Sequence, residues 1–507
     1  MLKFLVYRSF GLVLALLNKP RIMSREARGG QYRENQYITS LVIVPHRDLA
    51  YQFYHWIQKM AAVAEAPSPP LASVAQVLVR DVSSHLTAGV QNLRETPPHI
   101  LIGTPQALLD VWKKDPESLQ LSHLSCVVVD EVDYLIETLP KKDPARSFQK
   151  AIIKATRKLQ AHPGITRELL DIIYAKRKKM NARRLDESGA TQYQRLRGLE
   201  EQRGNVSSPQ LIMSSATLRS HLIDYLYKES GWLAKDNLLK VKGGTTATKS
   251  LLDQDKKILT GDGVSHSVLL VSDTGIENIP GAVPHDADSN NEYNQPIDAE
   301  TLFASPGSTE STTTETDGLS ESEFHSGEQR QADKQTSEYS NTVSPFNPNA
   351  FEAIATAFAL DVPKIALLVL PSSSPIRRAV YELRDVGVNA HSLDLLVGNK
   401  HLLGSETGED NPTLLVSTLA TTRGLDLPEL THVFILGILG GPKVTGQTVD
   451  AYLHIAGRVG RFGRGGKVIT VVEKDKDMET GPTTGSSKMR RILDTINVTP
   501  VQFQHFD

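Results

Sequence analysis

The apolar positions of this chain fall into short runs separated by amphipathic stretches. Val127-Val128-Val129 is a β-branched run that predicts a short strand buried on both faces, as in the centre of a parallel sheet. Residues 41–44, 74–79, 100–103 and 211–213 repeat that pattern. Between them, the stretches 45–60 and 106–112 carry the spacing of a helix with one apolar face. A second series follows, with strands predicted at 266–271, 365–370, 414–416, 431–436 and 467–472 and helices at 351–360 and 374–386. Alternation of this kind implies parallel sheets covered on both faces. Two successive series imply two α/β lobes.

Two stretches break the pattern. Residues 148–205 are basic and helical in composition, densest at Lys176-Arg177-Lys178-Lys179 and Arg183-Arg184. They read either as a solvated helix face or as a phosphate-contact surface. Residues 281–345 are rich in Ser, Thr, Glu and Asp and carry no apolar periodicity, so disorder is expected there. The predicted boundaries are a first lobe at 1–242, a linker at 243–263, a second lobe at 264–475 and a C-terminal tail at 476–507.

Composition narrows the class. A 507-residue chain has room for two or three domains, and a mean hydropathy of -0.26 suits a soluble globular protein. The lone cysteine, Cys126, excludes a disulfide within the chain and a multi-cysteine zinc site. Residues 4–17 are apolar but interrupted by Arg8, and shorter than the roughly 20 residues of a membrane-spanning helix. Lys3, Arg8, Lys19, Arg21 and Arg25 precede the first acid, Glu26, which suits a mitochondrial presequence. The stretch 12–20 equally predicts a buried helix ending at a proline.

The strand at 127–129 ends on Asp130-Glu131-Val132-Asp133. Acids at the carboxyl edge of a parallel sheet sit where open α/β folds bind ligands. There Asp130 could hold magnesium and Glu131 could polarise an attacking water. The plainer alternative is the acidic first turn of a helix.

Motif order separates these readings. Pro45-His46-Arg47-Asp48-Leu49-Ala50-Tyr51-Gln52, Thr104-Pro105, Asp130-Glu131-Val132-Asp133, Ser215-Ala216-Thr217, Thr422-Arg423-Gly424-Leu425-Asp426 and His454-Ile455-Ala456-Gly457-Arg458-Val459-Gly460-Arg461 occur in that order. The series resembles the DEAD-box ATP-dependent RNA helicases of superfamily 2. In insertions and spelling it looks most like fungal mitochondrial members that act in ribosome assembly. The resemblance implies two RecA-like lobes that close on ATP, magnesium and single-stranded RNA. Asp130 and Glu131 match the magnesium-binding and water-activating acids, and Arg458 and Arg461 match arginines that reach the phosphates, Arg461 as the finger. Ser215 and Thr217 match the hydroxyl pair linking the ATP site to RNA binding, Asp426 matches the acid on the ribose, and His454 counts with the nucleotide-binding set. Arg47, Thr104, Thr418 and Gly424 match positions on the RNA backbone, contacts that are insensitive to base identity. Ribosomal RNA and ribosomal proteins are the implied partners of a monomer with no membrane role, in the mitochondrion or alternatively the nucleus or cytoplasm.

The departures are specific. Val132 replaces Ala, Gln106-Ala107 replaces Gly-Arg, Leu419 stands where Asp is usual and Ile455 where Arg is usual. No G-x-x-x-x-G-K-[ST] loop occurs within residues 1–40, where the family places its phosphate cradle. Gly243-Gly244-Thr245-Thr246-Ala247-Thr248-Lys249-Ser250 comes near that pattern, but lies after the Ser-Ala-Thr motif and reads as linker. One expectation is therefore a first lobe truncated at its N-terminus, missing a strand and the loop. The other is a helicase-like, non-catalytic RNA-binding scaffold. A DNA translocase of the same superfamily fits the acidic and His-x-x-Gly-Arg spellings less well.

Overall fold

The computed structural model describes residues 3–28, 31–62, 69–80, 86–138, 153–154, 157–159, 161–179, 208–215, 219–234, 237–240, 263–273, 275–284, 339, 342–393, 412–427, 429–439, 444–460, 465–474 and 485–506. The chain divides into two compact units. The first comprises Met1–Leu251 with the return segments Asp394–Glu406 and Ala420–Leu427, and the second takes the remainder.

The first unit is built on a five-stranded parallel sheet. Its strands β3 (Ser40–Ile43), β4 (Ala75–Leu78), β5 (Ile100–Gly103), β6 (Cys126–Val129) and β7 (Gln210–Met213) run in the order β4-β5-β3-β6-β7. β3, β5 and β6 are buried along their whole length, as their unbroken apolar runs require. The helix Arg47–Ala62 buries Leu49, Phe53 and Ile57, spaced four apart on one stripe. The helix Pro105–Lys114 starts on proline, which has no N–H to leave unpaired in the first turn.

Sequence and structure differ in two places here. Before β3 an antiparallel pair, β1 (Met23–Arg28) and β2 (Gln31–Gln36), was not foreseen, because neither MSREAR nor QYRENQ alternates apolar with polar residues. The N-terminal helix runs Lys3–Leu17, longer than the expected one, with Val13 and Leu16 fully buried and the Phe10 ring edge-on to Trp56. Among the described residues no helix is long and apolar enough to cross a membrane.

Part of the basic insertion is core. The helix Ile165–Ile173 and the turn after it bury Leu169, Leu170 and Tyr174. At about 1.5–3 kcal/mol for each large apolar side chain, that burial holds the helix within the first unit. Arg177, from the densest run of charge, donates to the carbonyls of Trp232, Ser208 and Pro209 and stacks on Tyr174. Lys178 pairs with Asp171 at 2.7 Å. These two cations brace the fold.

The second unit holds seven strands in the order β11-β12-β10-β13-β14-β8-β9. They are β8 (Val264–Val271), β9 (Ile276–Asn278), β10 (Ile365–Leu370), β11 (Ala390–Ser392), β12 (Thr413–Thr418), β13 (His432–Leu436) and β14 (Gly466–Glu473). All pairings are parallel except β8 with β9. The helix Pro348–Asp361, capped by the Asn347 side chain on the Asn349 N–H, packs Phe351, Ile354 and Phe358 into the core.

Of the polar stretch 281–345, the described ends are anchored. Val283 bridges to Val501, and at the other end Arg378 donates to the Tyr339 carbonyl and to both oxygens of Thr342 while pairing with Glu382. Most of the linker at 243–263, and most of the stretch between those anchors, lies outside the described residues. Beyond β14 the helix Gly485–Ile496 buries Met489, Ile492 and Leu493, so the C-terminal stretch packs into the second unit.

Candidate functional site

Parallel register delivers the acids to the carboxyl edge of the first sheet. β6 pairs with β7 so that Val129 stands opposite Met213, which sets residue 130 beside residue 214. Ser214 Oγ donates to Asp130 Oδ1, and the Glu131 N–H reaches the same oxygen at 3.1 Å. One position on, Ser215 Oγ donates to Asp133 Oδ1 at 2.6 Å. The Val132 N–H closes the link on the Ser214 carbonyl at 3.0 Å. Asp130 and Glu131 are buried, and the two donors on Asp130 offset the cost of holding its carboxylate out of water.

Sequence reasoning chose Ser215 and missed Ser214, although counting the register from β6 to β7 would have found it. Thr217 lies outside the described residues. Glu131 has a left-handed backbone, φ 54°, ψ 48°, and opens the short helix Val132–Leu135. That conformation costs an ordinary residue about 1–2 kcal/mol and is frequent at functional positions.

The return segment Ala420–Leu427 lies against the start of the helix Arg47–Ala62. Gln52 binds the Asp426 backbone at both ends of its amide, donating to the carbonyl at 2.9 Å and accepting from the N–H at 3.2 Å. His46 Nδ1 accepts from the Leu49 N–H, so the ring proton sits on Nε2, which donates to the Arg423 carbonyl at 2.6 Å. Gly424 has φ 74°, and a Cβ there would stand 2.6 Å from Leu49 Cδ2. Arg423 lies 4.9 Å over the Tyr134 ring, with Asp133 at 3.9 Å. His46, Gln52 and Tyr134 were not among the expected site residues.

At the same sheet edge, Arg47 and Thr104 line an open cavity of about 460 Å³ with Arg80, Gln106, Tyr134 and Ile165. Thr104 is the residue before the helix Pro105–Lys114, in extended conformation.

In the second unit Thr418 ends β12, buried and opposite Leu370. His454 is buried on the helix Gly446–Ala456, which a reciprocal Thr445–Thr448 capping box starts. Arg458 follows that helix, is buried, and donates through Nε to the His454 carbonyl at 3.1 Å. Ile455 is 1 % exposed, so the position where the family usually has Arg is core here. Arg461 lies outside the described residues.

Family models match both units. One, described as DEAD/DEAH box helicase, covers residues 12–224, and the helicase conserved C-terminal domain covers 404–463. Over those residues the chain is similar to the DEAD/DEAH box helicases. Its two parallel-sheet units are the RecA-like lobes that the motif series implied. Among curated relatives, the ATP-dependent RNA helicase DBP9 of Candida albicans is 28% identical over 103 residues, 20% of this chain and 16% of that protein. The ATP-dependent RNA helicase SrmB of Escherichia coli is 33% identical over 103 residues, 19% of this chain and 22% of that protein. The matched stretches thus span less than a quarter of either relative. S. cerevisiae Dbp5 bound to RNA and ADP BeF3 aligns over 97% of this chain and 82% of its own at 13% identity and a TM-score of 0.48. Mss116p bound to ssRNA and AMP-PNP aligns over 92% and 64% at 15% identity and a TM-score of 0.43.

Proposed function

We propose that this chain is a DEAD-box protein that remodels RNA or RNA–protein complexes at the expense of ATP. The observation that carries the reading is the buried Asp130–Glu131 pair at the end of β6, with Ser214 bonded to Asp130 and Ser215 to Asp133. Arg47 and Thr104 stand at the same sheet edge.

The donor set suits magnesium, which takes one or two carboxylates and keeps several waters. Asp130 would hold it, with Ser214 orienting the carboxylate. Bound there, the ion would neutralise charge on the nucleotide phosphates. Glu131 would accept a proton from the attacking water, Arg458 and Arg461 would meet the phosphates, Asp426 the ribose, and Thr418 and Gly424 the RNA backbone. Ribosomal RNA and ribosomal proteins in mitochondria are the proposed partners, a part that rests on the resemblance in insertions and spelling. Cell fractionation tests the location.

A second reading, RNA binding without turnover, is favoured by Ile455, which is buried where the resemblance places an arginine. RNA-stimulated ATP hydrolysis by the full chain and by Glu131→Gln separates the two. Turnover that the substitution abolishes supports the enzyme. RNA binding with no turnover supports the scaffold, and no RNA binding overturns both.

A further inference from the structure

Phosphate contacts explain Arg47 and Thr104, but they do not explain what else lines their cavity. Tyr134 is 44 % exposed and Ile165 is 38 % exposed, and both belong to that one cavity wall. Exposed apolar side chains scattered singly need no explanation, whereas two converging on a cavity with two arginines do. The volume, about 460 Å³, falls within the range of about 300–1,000 Å³ usual for small-ligand sites.

The chemistry of the lining is that of a nucleotide. Arg423 lies over one face of the Tyr134 ring at 4.9 Å, and a cation stacked on an aromatic extends the platform on which a base can lie. Ile165 supplies an apolar wall. Arg47 and Arg80 supply positive charge, with Arg80 held in place by Asp110 at 2.6 Å. Gln106 stands where the family has Gly, so its amide adds a group to the lining. Its Nε2 donates to Asp110 Oδ1 at 2.9 Å, a bond that does not use the amide oxygen. Thr104 and Thr166 add hydroxyls. Ile165 and Thr166 come from the insertion helix, so the departures of this chain from its family converge on one place.

We propose that this cavity takes one unstacked RNA base against the Tyr134 ring, with Ile165 adding apolar surface to the same lining and Arg47 and Arg80 on the adjoining phosphates. The RNA contact is then not confined to the backbone. Tyr134 is a base-positioning residue, and the strand is held by one base as well as by its phosphates. This rests on the RNA-binding reading above.

The test measures dissociation constants of the full chain for a fluorescein-labelled adenylate decamer and for a decamer of abasic ribose phosphates. Wild type is expected to prefer the adenylate strand by about tenfold, the scale of one base-stacking partner. Tyr134→Ala and Ile165→Ala should each shrink that ratio toward one while leaving affinity for the abasic strand within about twofold. Tyr134→Phe, which keeps the ring, should retain most of it. An undiminished preference in both alanine variants overturns the base site and leaves RNA binding standing. Failure of wild type to bind either strand overturns the RNA reading itself, and the base site with it.

Discussion

Lowering the pH should loosen the helix that carries His454 and Arg458. His266 on β8 is buried, and its Nδ1 lies 2.8 Å from the Tyr452 hydroxyl on that helix. Burial pushes the imidazole from its ordinary 6.5 down to about 4, while burial also drives the Tyr452 phenol upward, so both groups are neutral at pH 7. At about 1.4 kcal/mol per tenfold change in proton affinity, that drop amounts to about 3 kcal/mol. The sign follows from proton counting. Between pH 6.5 and 4 the unfolded chain binds the proton and the folded chain refuses it, so the contribution is complete above 6.5 and lost as pH falls toward 4. About 2 kcal/mol should disappear between pH 7 and pH 5.

His266→Gln keeps an acceptor for Tyr452 and removes the titration. Hydrogen exchange of β8 and β14 peptides, corrected for the intrinsic pH dependence of exchange, should show wild type losing protection at pH 5. The variant should lose about 2 kcal/mol less over the same interval. Equal losses in both proteins would refute the assignment.

Three further outcomes follow from particular contacts. Ser214→Ala removes a hydroxyl donor from a buried carboxylate and should cost the first unit about 2 kcal/mol, read by urea unfolding. All three tryptophans, Trp56, Trp112 and Trp232, lie in that unit, so fluorescence isolates its transition. Gly424→Ala meets Leu49 and a left-handed backbone together, at about 2–4 kcal/mol, and should free the Asp426 amide to exchange. Arg378→Ala should speed proteolysis at 339–345 severalfold. Arg378→Lys should not restore protection, because a lysine cannot span Thr342, the Tyr339 carbonyl and Glu382 at once.

Much of this was legible in the residues. The run 365–370 forms a strand with those bounds, because six apolar residues between turns leave a buried strand little alternative. The acids fell at a sheet edge for the same reason. What escaped was whatever depends on partners distant in sequence. Arg177 looked like surface charge until Trp232, Ser208 and Pro209 supplied carbonyls for it. Ser214 stood beside a more recognisable serine. Gln52 reads as an unremarkable helix residue until the Asp426 backbone, 374 positions on, lies against it. Tyr134 carries no periodicity, and its place in one cavity lining with Ile165 appears only in the fold.

Cys126 has a kinetic consequence. The chain's one thiol lies fully buried on β6, four residues before Asp130, and burial pushes its pKa up, so in the folded state it is both covered and protonated. A thiol reagent can therefore label it only when the central strands part. Its labelling rate measures sheet opening beneath the acids rather than surface accessibility. Any ligand that favours the closed sheet will register as a slower rate, without a probe having been added to the protein.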